Sequence, residues 1–295
     1  MPTYAFVTLD VFTDTRFGGN PLAVFPDARG LSDAQMQALA AEFNLSETTF
    51  VLPPADPANT ARVRIFNRTA EMPFAGHPNV GTGFVLAGQG RDRDGVLRFE
   101  EIAGLVEVQV RRDAAGGLTG AVIEAPQPLS LGPELTPEQV AACVGVAAGD
   151  VVTANHRPVQ ASVGVDFFFA EVKAQALAGA GPDLAGFRQV AKATDTGSDR
   201  LSLFLYAREG NQVRARMFAP LSGTYEDAAT GSASATAGAL LLSLSGDAED
   251  SYEITQGVEM GRPSRLSVNA WLADDGVHAS VGGGCVPVFR GEVTL

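Results

Sequence analysis

The sequence predicts an α/β (α+β) fold of two similar domains, each a curled, mostly antiparallel sheet or barrel wrapped around a central helix. Segments with alternating apolar residues, as at Val63 and Ile65 and again from Leu105, outnumber helical ones. The same order also occurs twice along the 295 residues: a helix, strands, a turn containing glycine, and a helix of small and apolar residues. Because a helix that is apolar all round must be covered on every side, strands are expected to surround it.

Two of the other helices have clear starting signals. Ser32 with Gln35, and Thr136 with Gln139, have the capping-box spacing, in which side chain and backbone cap each other. Pro137 fits the first helical position, where a missing N–H costs nothing. These signals predict one helix after Ser32 and another after Thr136.

The length of the chain exceeds what a single hydrophobic core usually organises. The segment from Glu124 to Pro137 contains four prolines between a strand pattern and a helix pattern, which is typical of a linker. We therefore predict an N-terminal domain at residues 1–127, which a C-terminal strand at 285–295 could complete, and a C-terminal domain at 128–284.

The composition argues against several classes of partner. With 34 acidic and 21 basic residues, the net charge of -13 would repel nucleic acids and anionic membranes. No segment reaches the ~18 consecutive apolar residues of a membrane helix, and the first residues lack the features of a signal peptide. Two cysteines are too few for a disulfide framework or a thiolate metal site. We expect a cytoplasmic protein without a metal.

The first turn with possible chemistry is Gly76-His77-Pro78, ahead of a helix predicted from Asn79. Pro78 fits the first helical position, and the free amides that follow would form an anion site assisted by the helix dipole. His77 would then lie at this site. The alternative is a histidine that only satisfies a backbone group.

The second turn runs from Asp227 through Thr230 to Gly231 and Ser232, where the second helix of small residues begins. It offers backbone amides, a hydroxyl group and a carboxylate. Asp227 could instead be a helix cap, and Ser232 a small residue that permits close packing. Both helix starts are expected to face a shared cleft.

Glu47 and Asn20 are further candidates. Glu47 leads from the first capped helix into an apolar strand, where a carboxylate must be solvated, paired or used in chemistry. Burial would raise its pKa toward neutrality, whereas a surface acid at a strand start is the ordinary alternative. The segment from Gly18 to Pro21 is typical of a turn. Asn20 in that turn could bind a substrate carboxylate or amine.

Four segments in this order, GGNP, SET, AGHP and EDAATGSA, resemble the signature segments of the PhzF-like family of phenazine-biosynthesis isomerases. The resemblance covers essentially the whole chain. It implies the fold of diaminopimelate epimerase, a homodimer, and an isomerase that moves a proton within a small, anionic, carboxylate-bearing substrate. No metal or organic cofactor is implied.

Carried over residue by residue, the resemblance implies that Glu47 is the principal acid/base group. His77, Asp227 and Ser232 would contact the substrate and relay protons. The glycines of the two turns, Gly76 and Gly231, would let the backbone approach it closely.

Racemases and epimerases that share this fold place a thiol directly before the glycine of each turn, whereas this chain has Ala75 and Thr230 there. A mechanism with two thiols is therefore not expected, because one thiol must remove a proton and the other must deliver it. Two alternatives stay open. One is an epimerase or racemase that uses Glu47 and Asp227, and the other is a small-acid-binding protein without turnover.

Overall fold

The structure is a computed structural model that describes residues 1–194 and 200–295. The chain forms two compact units. Unit 1 comprises residues 1–124 and 282–295, and unit 2 comprises residues 125–281. Each unit has its own sheet and its own central helix, which we call the inner helix.

The elements of unit 1 are, in chain order, β1 (Thr3–Val11), β2 (Asn20–Phe25), α1 (Asp33–Phe43), β3 (Glu47–Leu52), β4 (Ala61–Phe66), β5 (Glu71–Met72), α2 (Gly76–Gly88), β6 (Val96–Glu101), β7 (Gly104–Arg112) and β8 (Leu118–Glu124). Those of unit 2 are β9 (Ser130–Glu134), α3 (Pro137–Val144), β10 (Val151–Val152), β11 (Val159–Ser162), β12 (Asp166–Val172), α4 (Ala174–Leu177), α5 (Leu184–Ala193), β13 (Leu203–Glu209), β14 (Gln212–Ala219), β15 (Thr224–Asp227), α6 (Gly231–Ser245), β16 (Glu249–Gln256) and β17 (Ser264–Ala273). The last strand, β18 (Gly276–Thr294), begins in unit 2 and ends in unit 1.

The sheet of unit 1 closes into a barrel. Strands pair in the order β1, β2, β3, β4, β6, β7, β8 and β18, and β18 pairs back onto β1. The inner helix α2 contacts β1, β2, β3, β7 and β8. A Cβ atom at Gly81 would collide with Leu22, and one at Gly83 would collide with Val108. The small residues of α2 therefore let the helix fit inside the barrel.

Helix α1 packs outside this barrel and leads to Glu47. It starts with the predicted capping box, in which Ser32 and Gln35 bond each other's backbone N–H groups. Its apolar side packs into a cluster with Phe25, Phe50 and Phe66. The helix ends at a C-cap in the left-handed conformation, and β3 begins three residues later.

Unit 2 has the same plan. Its strands pair in the order β9, β11, β12, β13, β14, β16 and β17, and the inner helix α6 contacts β11, β12, β16 and β17. Gly238 of α6 approaches Val268 so closely that a Cβ atom would not fit. Helices α3, α4 and α5 share a second apolar cluster with the sheet. The predicted capping box at Thr136 and Gln139 is present, with Pro137 as the first helical residue.

The predicted fold class is confirmed, since each unit surrounds an apolar helix with strands. The predicted linker from Glu124 to Pro137 contains β9, which pairs with β11. The boundary between the two units falls at its start, between Glu124 and Ala125. The linker and the domain bounds, 1–127 with a possible contribution from 285–295 and 128–284, stay predictions. Within the described residues, no helix is long and apolar enough to cross a membrane.

Candidate active site

The α2 turn, which we define as residues 73–77, leads from β5 into the inner helix of unit 1. The helix begins at Gly76 after Ala75, whose backbone is extended, and no side chain caps it. The prediction that Pro78 is the first helical residue was wrong: it is the third, and His77 is the second. Proline is tolerated there because N–H groups of the whole first turn lack partners within the helix. Those N–H groups, with the helix dipole, favour an anion at this end.

His77 is almost completely buried at this turn, and its Nε2 lies 3.4 Å from Oε2 of Glu47. Burial lowers the pKa of His77 to about 3, because the surrounding protein cannot solvate an imidazolium ion. The ring is therefore neutral near pH 7, and only one of its nitrogen atoms carries a proton.

The neighbouring side chains indicate which nitrogen that is. Ser46 donates its hydroxyl hydrogen to Oδ1 of Asn20 at 3.1 Å, so the NH₂ group of Asn20 points the other way. That NH₂ group lies 3.5 Å from Nδ1 of His77. Because an amide NH₂ can only donate, Nδ1 acts as the acceptor and the proton resides on Nε2, on the side of Glu47.

The position of Glu47 follows from strand pairing. It is the first residue of β3 and lies beside Leu22 in the parallel β2–β3 pair. Asn20, the first residue of β2, is two residues before Leu22. Its side chain is 16% exposed, which leaves the carboxyl group within reach of a small molecule. The structure thus brings Asn20, Glu47, Gly76 and His77 together. Sequence reasoning did not identify Ser46 as part of this network, because a serine beside an acid has no distinguishing pattern.

The α6 turn, residues 227–232, is the corresponding feature of unit 2. Asp227 ends β15, Thr230 is the N-cap of the inner helix, and α6 begins at Gly231. The hydroxyl group of Thr230 donates to Oδ2 of Asp227 at 2.6 Å. Asp227 therefore precedes the N-cap by three residues and does not cap the helix. Ser232 is the second helical residue, the position that His77 occupies in α2.

The side chain of Gln256, at the end of β16, forms hydrogen bonds with the α6 turn. Its Oε1 accepts the N–H of Thr230 at 3.1 Å, while its Nε2 donates to the Asp227 carbonyl at 2.8 Å and to the Thr230 hydroxyl at 3.0 Å. The side chain is fully buried. Ser264 adds a hydrogen bond to the carbonyl of Ala228 at 2.9 Å. Sequence reasoning missed Gln256, because contacts this distant along the chain leave no local pattern.

A further carboxyl group, which the sequence did not single out, lies in unit 1 near the start of α2. Both oxygens of Glu101, the last residue of β6, are buried without a hydrogen-bond partner of good geometry. Burial raises the pKa of Glu101 to about 8, although the amide of Asn79 acts in the opposite direction. Asn79 is itself in the first turn of α2 and donates to the carbonyl of Ala75.

Comparison with known proteins identifies the family of the chain. A family model described as phenazine biosynthesis-like protein matches residues 9–291. The chain belongs to this family. An uncharacterized isomerase of Mesorhizobium japonicum is 38% identical over the whole of both chains. The trans-2,3-dihydro-3-hydroxyanthranilate isomerase of Pseudomonas aeruginosa is 36% identical over 94% of each chain.

Among solved structures, the PhzF-family phenazine biosynthesis protein of Bacillus anthracis has a TM-score of 0.88, with 24% identity over all of both chains. The predictions of the family, the fold and an isomerase are confirmed. The assignment of individual residues to catalysis or binding stays a prediction.

The cysteines of this family member lie in neither turn. Cys143 is in α3 and Cys285 is in β18, and both are buried as free thiols. Burial raises the pKa of both, that of Cys143 to about 12. In the part of the chain that the structure describes, no three or more His, Cys, Asp or Glu side chains are grouped so that they could hold a metal ion.

Proposed function

We propose that this chain is a cofactor-independent isomerase that moves a proton between two carbons of a small carboxylate-bearing substrate, with Glu47 as the acid/base group. The observation that supports this most strongly is the 3.4 Å approach of the Glu47 carboxyl to Nε2 of a buried, neutral His77. A carboxyl group that lies against a neutral imidazole and is still 16% exposed can exchange a proton with a small molecule.

In the proposed reaction, ionised Glu47 removes a proton from one substrate carbon, and the electron pair of that C–H bond spreads over the adjacent unsaturated atoms. Glu47, now protonated and partly exposed, exchanges its acidic proton with water and then protonates another carbon of the same molecule. Nε2 of His77 lies 3.4 Å from Oε2 of Glu47, so its N–H would stabilise the ionised carboxylate before the first step and after the second. Since no other group enters or leaves, the reaction is an isomerisation.

Substrate binding is assigned to the two turns. The N–H groups at Gly76 and at Gly231 suit anionic oxygens, because each opens an inner helix without a side-chain cap. We retain Asp227 as a catalytic group and Ser232 as a substrate contact. For Asn20 we propose substrate binding together with orientation of His77, since its amide lies against that ring.

The class of substrate follows from the relatives. One relative is named trans-2,3-dihydro-3-hydroxyanthranilate isomerase, and its substrate is an unsaturated ring with a carboxylate and an amine. We propose a substrate of this class for this chain, and we also propose that it acts as a homodimer in the cytoplasm.

The test is turnover in deuterated water with trans-2,3-dihydro-3-hydroxyanthranilate and a set of related unsaturated amino acids. For at least one compound, the wild type should place deuterium on one carbon, as detected by mass spectrometry and NMR. Glu47→Gln preserves the shape of the side chain and should abolish this incorporation. The absence of turnover and exchange with every compound would favour the small-acid-binding alternative, and undiminished exchange in Glu47→Gln would assign the proton transfer to another residue.

A further inference from the structure

Each unit carries an arginine–glutamate ion pair on the strand hairpin directly before its inner helix. In unit 1 the pair joins Arg64 of β4 to Glu71 of β5, and in unit 2 it joins Arg216 of β14 to Glu226 of β15. In both pairs, Nε and Nη2 of the arginine donate to the two carboxylate oxygens at 2.6 to 2.8 Å. This two-pronged geometry is the most specific one available to an arginine and a carboxylate.

The surroundings of the two arginines also match. Each guanidinium group lies over the ring of the phenylalanine two residues further along its strand, at 5.1 Å from Phe66 and 5.0 Å from Phe218. The arginine side chains are 12% and 7% exposed. The remaining nitrogen, Nη1, binds Asp33 in unit 1 and backbone carbonyls at and just after the end of α4 in unit 2. Both arginines therefore have fixed orientations.

The two glutamates occupy the same position relative to the inner helices. Each lies five positions ahead of the first helical residue, Gly76 in one unit and Gly231 in the other. In unit 1 the strand that carries the glutamate, β5, has only two residues and two paired positions. The backbone ladder before the α2 turn is therefore short. The ion pair attaches its N-terminal end in addition to the hydrogen bond from the N–H of Ala103 to the Pro73 carbonyl.

Stability alone does not account for this repetition. The cost of removing two charges from water offsets much of the attraction in a buried ion pair, so such pairs are poor sources of net stability. What they fix well is geometry, since Arg and Glu must meet in one orientation. The same device at the same offset before two helix starts of different sequence points to a geometric requirement at those starts.

We propose that Arg64 with Glu71, and Arg216 with Glu226, are positioning residues that hold the α2 and α6 turns in the arrangement that catalysis requires. This inference rests on the proposed function, because it assumes that both turns take part in one reaction. A displacement of about 1 Å at a reacting group can reduce the rate ~10²-fold. Loosening either pair should therefore lower kcat without removing any group that touches the substrate.

The test compares Arg64→Lys and Arg216→Lys with the wild type. Lysine keeps the charge but cannot form the two-pronged contact. We expect kcat per folded molecule to fall at least ~10-fold with KM changed less than ~3-fold, as for a misplaced reacting group. Amide hydrogen exchange, followed by mass spectrometry, should accelerate where each turn enters its helix, at residues 80–83 in the first variant and at 235–238 in the second, because these N–H groups bond to the first carbonyls of the inner helices. The matched controls are Arg98→Lys in unit 1 and Arg157→Lys in unit 2, whose ion pairs are half exposed and are not on the hairpin before the turn of their own unit; they should resemble the wild type.

The exchange measurement does not require activity, so it separates this inference from the proposed function. Inactivity of the wild type with every compound would refute the proposed function, while faster exchange confined to the turns would still support the positioning role. Unchanged exchange and kcat in both lysine variants would refute the positioning role. Faster exchange across a whole unit with unchanged kcat would also refute it, because an ion pair that only stabilises the fold would give this result. If a lysine variant does not fold, Glu71→Gln or Glu226→Gln, which keeps the side-chain shape, takes its place under the same criteria.

Discussion

The two inner helices begin in the same way, but their carboxylates reach them from different places. In unit 1, Glu47 comes from β3, an element separate from the α2 turn, and faces the buried ring of His77. In unit 2, Asp227 belongs to the α6 turn itself and accepts a hydrogen bond from the hydroxyl group of Thr230. The same hydroxyl group accepts a hydrogen bond from Gln256. The two units therefore share the same kind of helix start, although the acidic residue near it comes from a different structural element in each unit. A carboxylate on a separate strand can serve as a proton shuttle, whereas one bonded within its own turn is better suited to binding.

The largest expected effect tests this division of roles. Glu47→Gln should lower kcat ~10²–10⁴-fold with little change in KM, because it removes a positioned acid/base group and leaves binding intact. Asp227→Asn should lower kcat less, about 10-fold, and raise KM by a similar factor. Steady-state kinetics on both variants, with circular dichroism as a check of folding, would measure the difference. A greater loss of kcat in Asp227→Asn would reverse the two roles.

A second prediction compares the supports of the two turns. Gln256→Met is nearly isosteric but leaves the N–H of Thr230 and the carbonyl of Asp227 without a partner inside the protein. The free energy of unfolding should fall by about 1–3 kcal/mol. Ser46→Ala removes one hydrogen bond to Asn20 and should cost only about 0.5–1.5 kcal/mol. Urea denaturation of both variants checks the order, and a smaller loss in Gln256→Met would show that the α6 turn does not depend on this glutamine.

The last prediction concerns two titrating groups of unit 1 whose contributions to stability depend on pH in opposite directions. The pKa of His77 is lowered to about 3, so the folded protein binds fewer protons than the unfolded chain below about pH 6.5, and stability is lost as the pH falls. The pKa of Glu101 is raised to about 8, so the folded protein keeps a proton that the unfolded chain releases. The stability that Glu101 contributes is greatest below about pH 4.5 and is lost as the pH rises to about 8.

His77→Gln should therefore gain stability over the wild type on going from pH 7 to pH 4, and Glu101→Gln should gain it on going from pH 4 to pH 8.5. Each gain should be on the order of 1–3 kcal/mol, which allows for relaxation of the buried groups. Denaturation curves at these pH values supply the measurement. Differences that stay constant with pH would mean that neither group titrates in the way its burial implies.

Local signals in the sequence predicted most of the fold. The capping boxes at Ser32 and Thr136 depend on residues three positions apart, and the alternation at Val63 and Ile65 depends on neighbours within one strand. The apolar surface of α2 predicted the strands around it, because a helix without a polar side has to be covered. The start of α2 was misplaced, since proline is tolerated throughout the first turn and Pro78 does not mark its beginning.

The missing parts of the site depend on contacts between distant segments. The lowered pKa of His77 depends on complete burial, and its tautomer depends on a chain of contacts through Asn20 to Ser46. Gln256 reaches the α6 turn from another strand, and nothing near it in the sequence indicates this. The strand β9 was not predicted for the same reason, because it forms by pairing with β11 in spite of its proline.

The closure of the unit 1 barrel by β18 affects how unit 1 can fold while the chain is being synthesised. This strand pairs along β1, from Cys285 opposite Val11 to Thr294 opposite Thr3, so the first strand has no complete neighbour on that side until the final residues have been translated. Until β18 has been made, unit 1 has open edges at β1 and β8. Open edges invite pairing with other chains. A nascent or prematurely terminated chain that ends before residue 285 therefore exposes an aggregation-prone barrel, which makes it a natural substrate for chaperones and proteases.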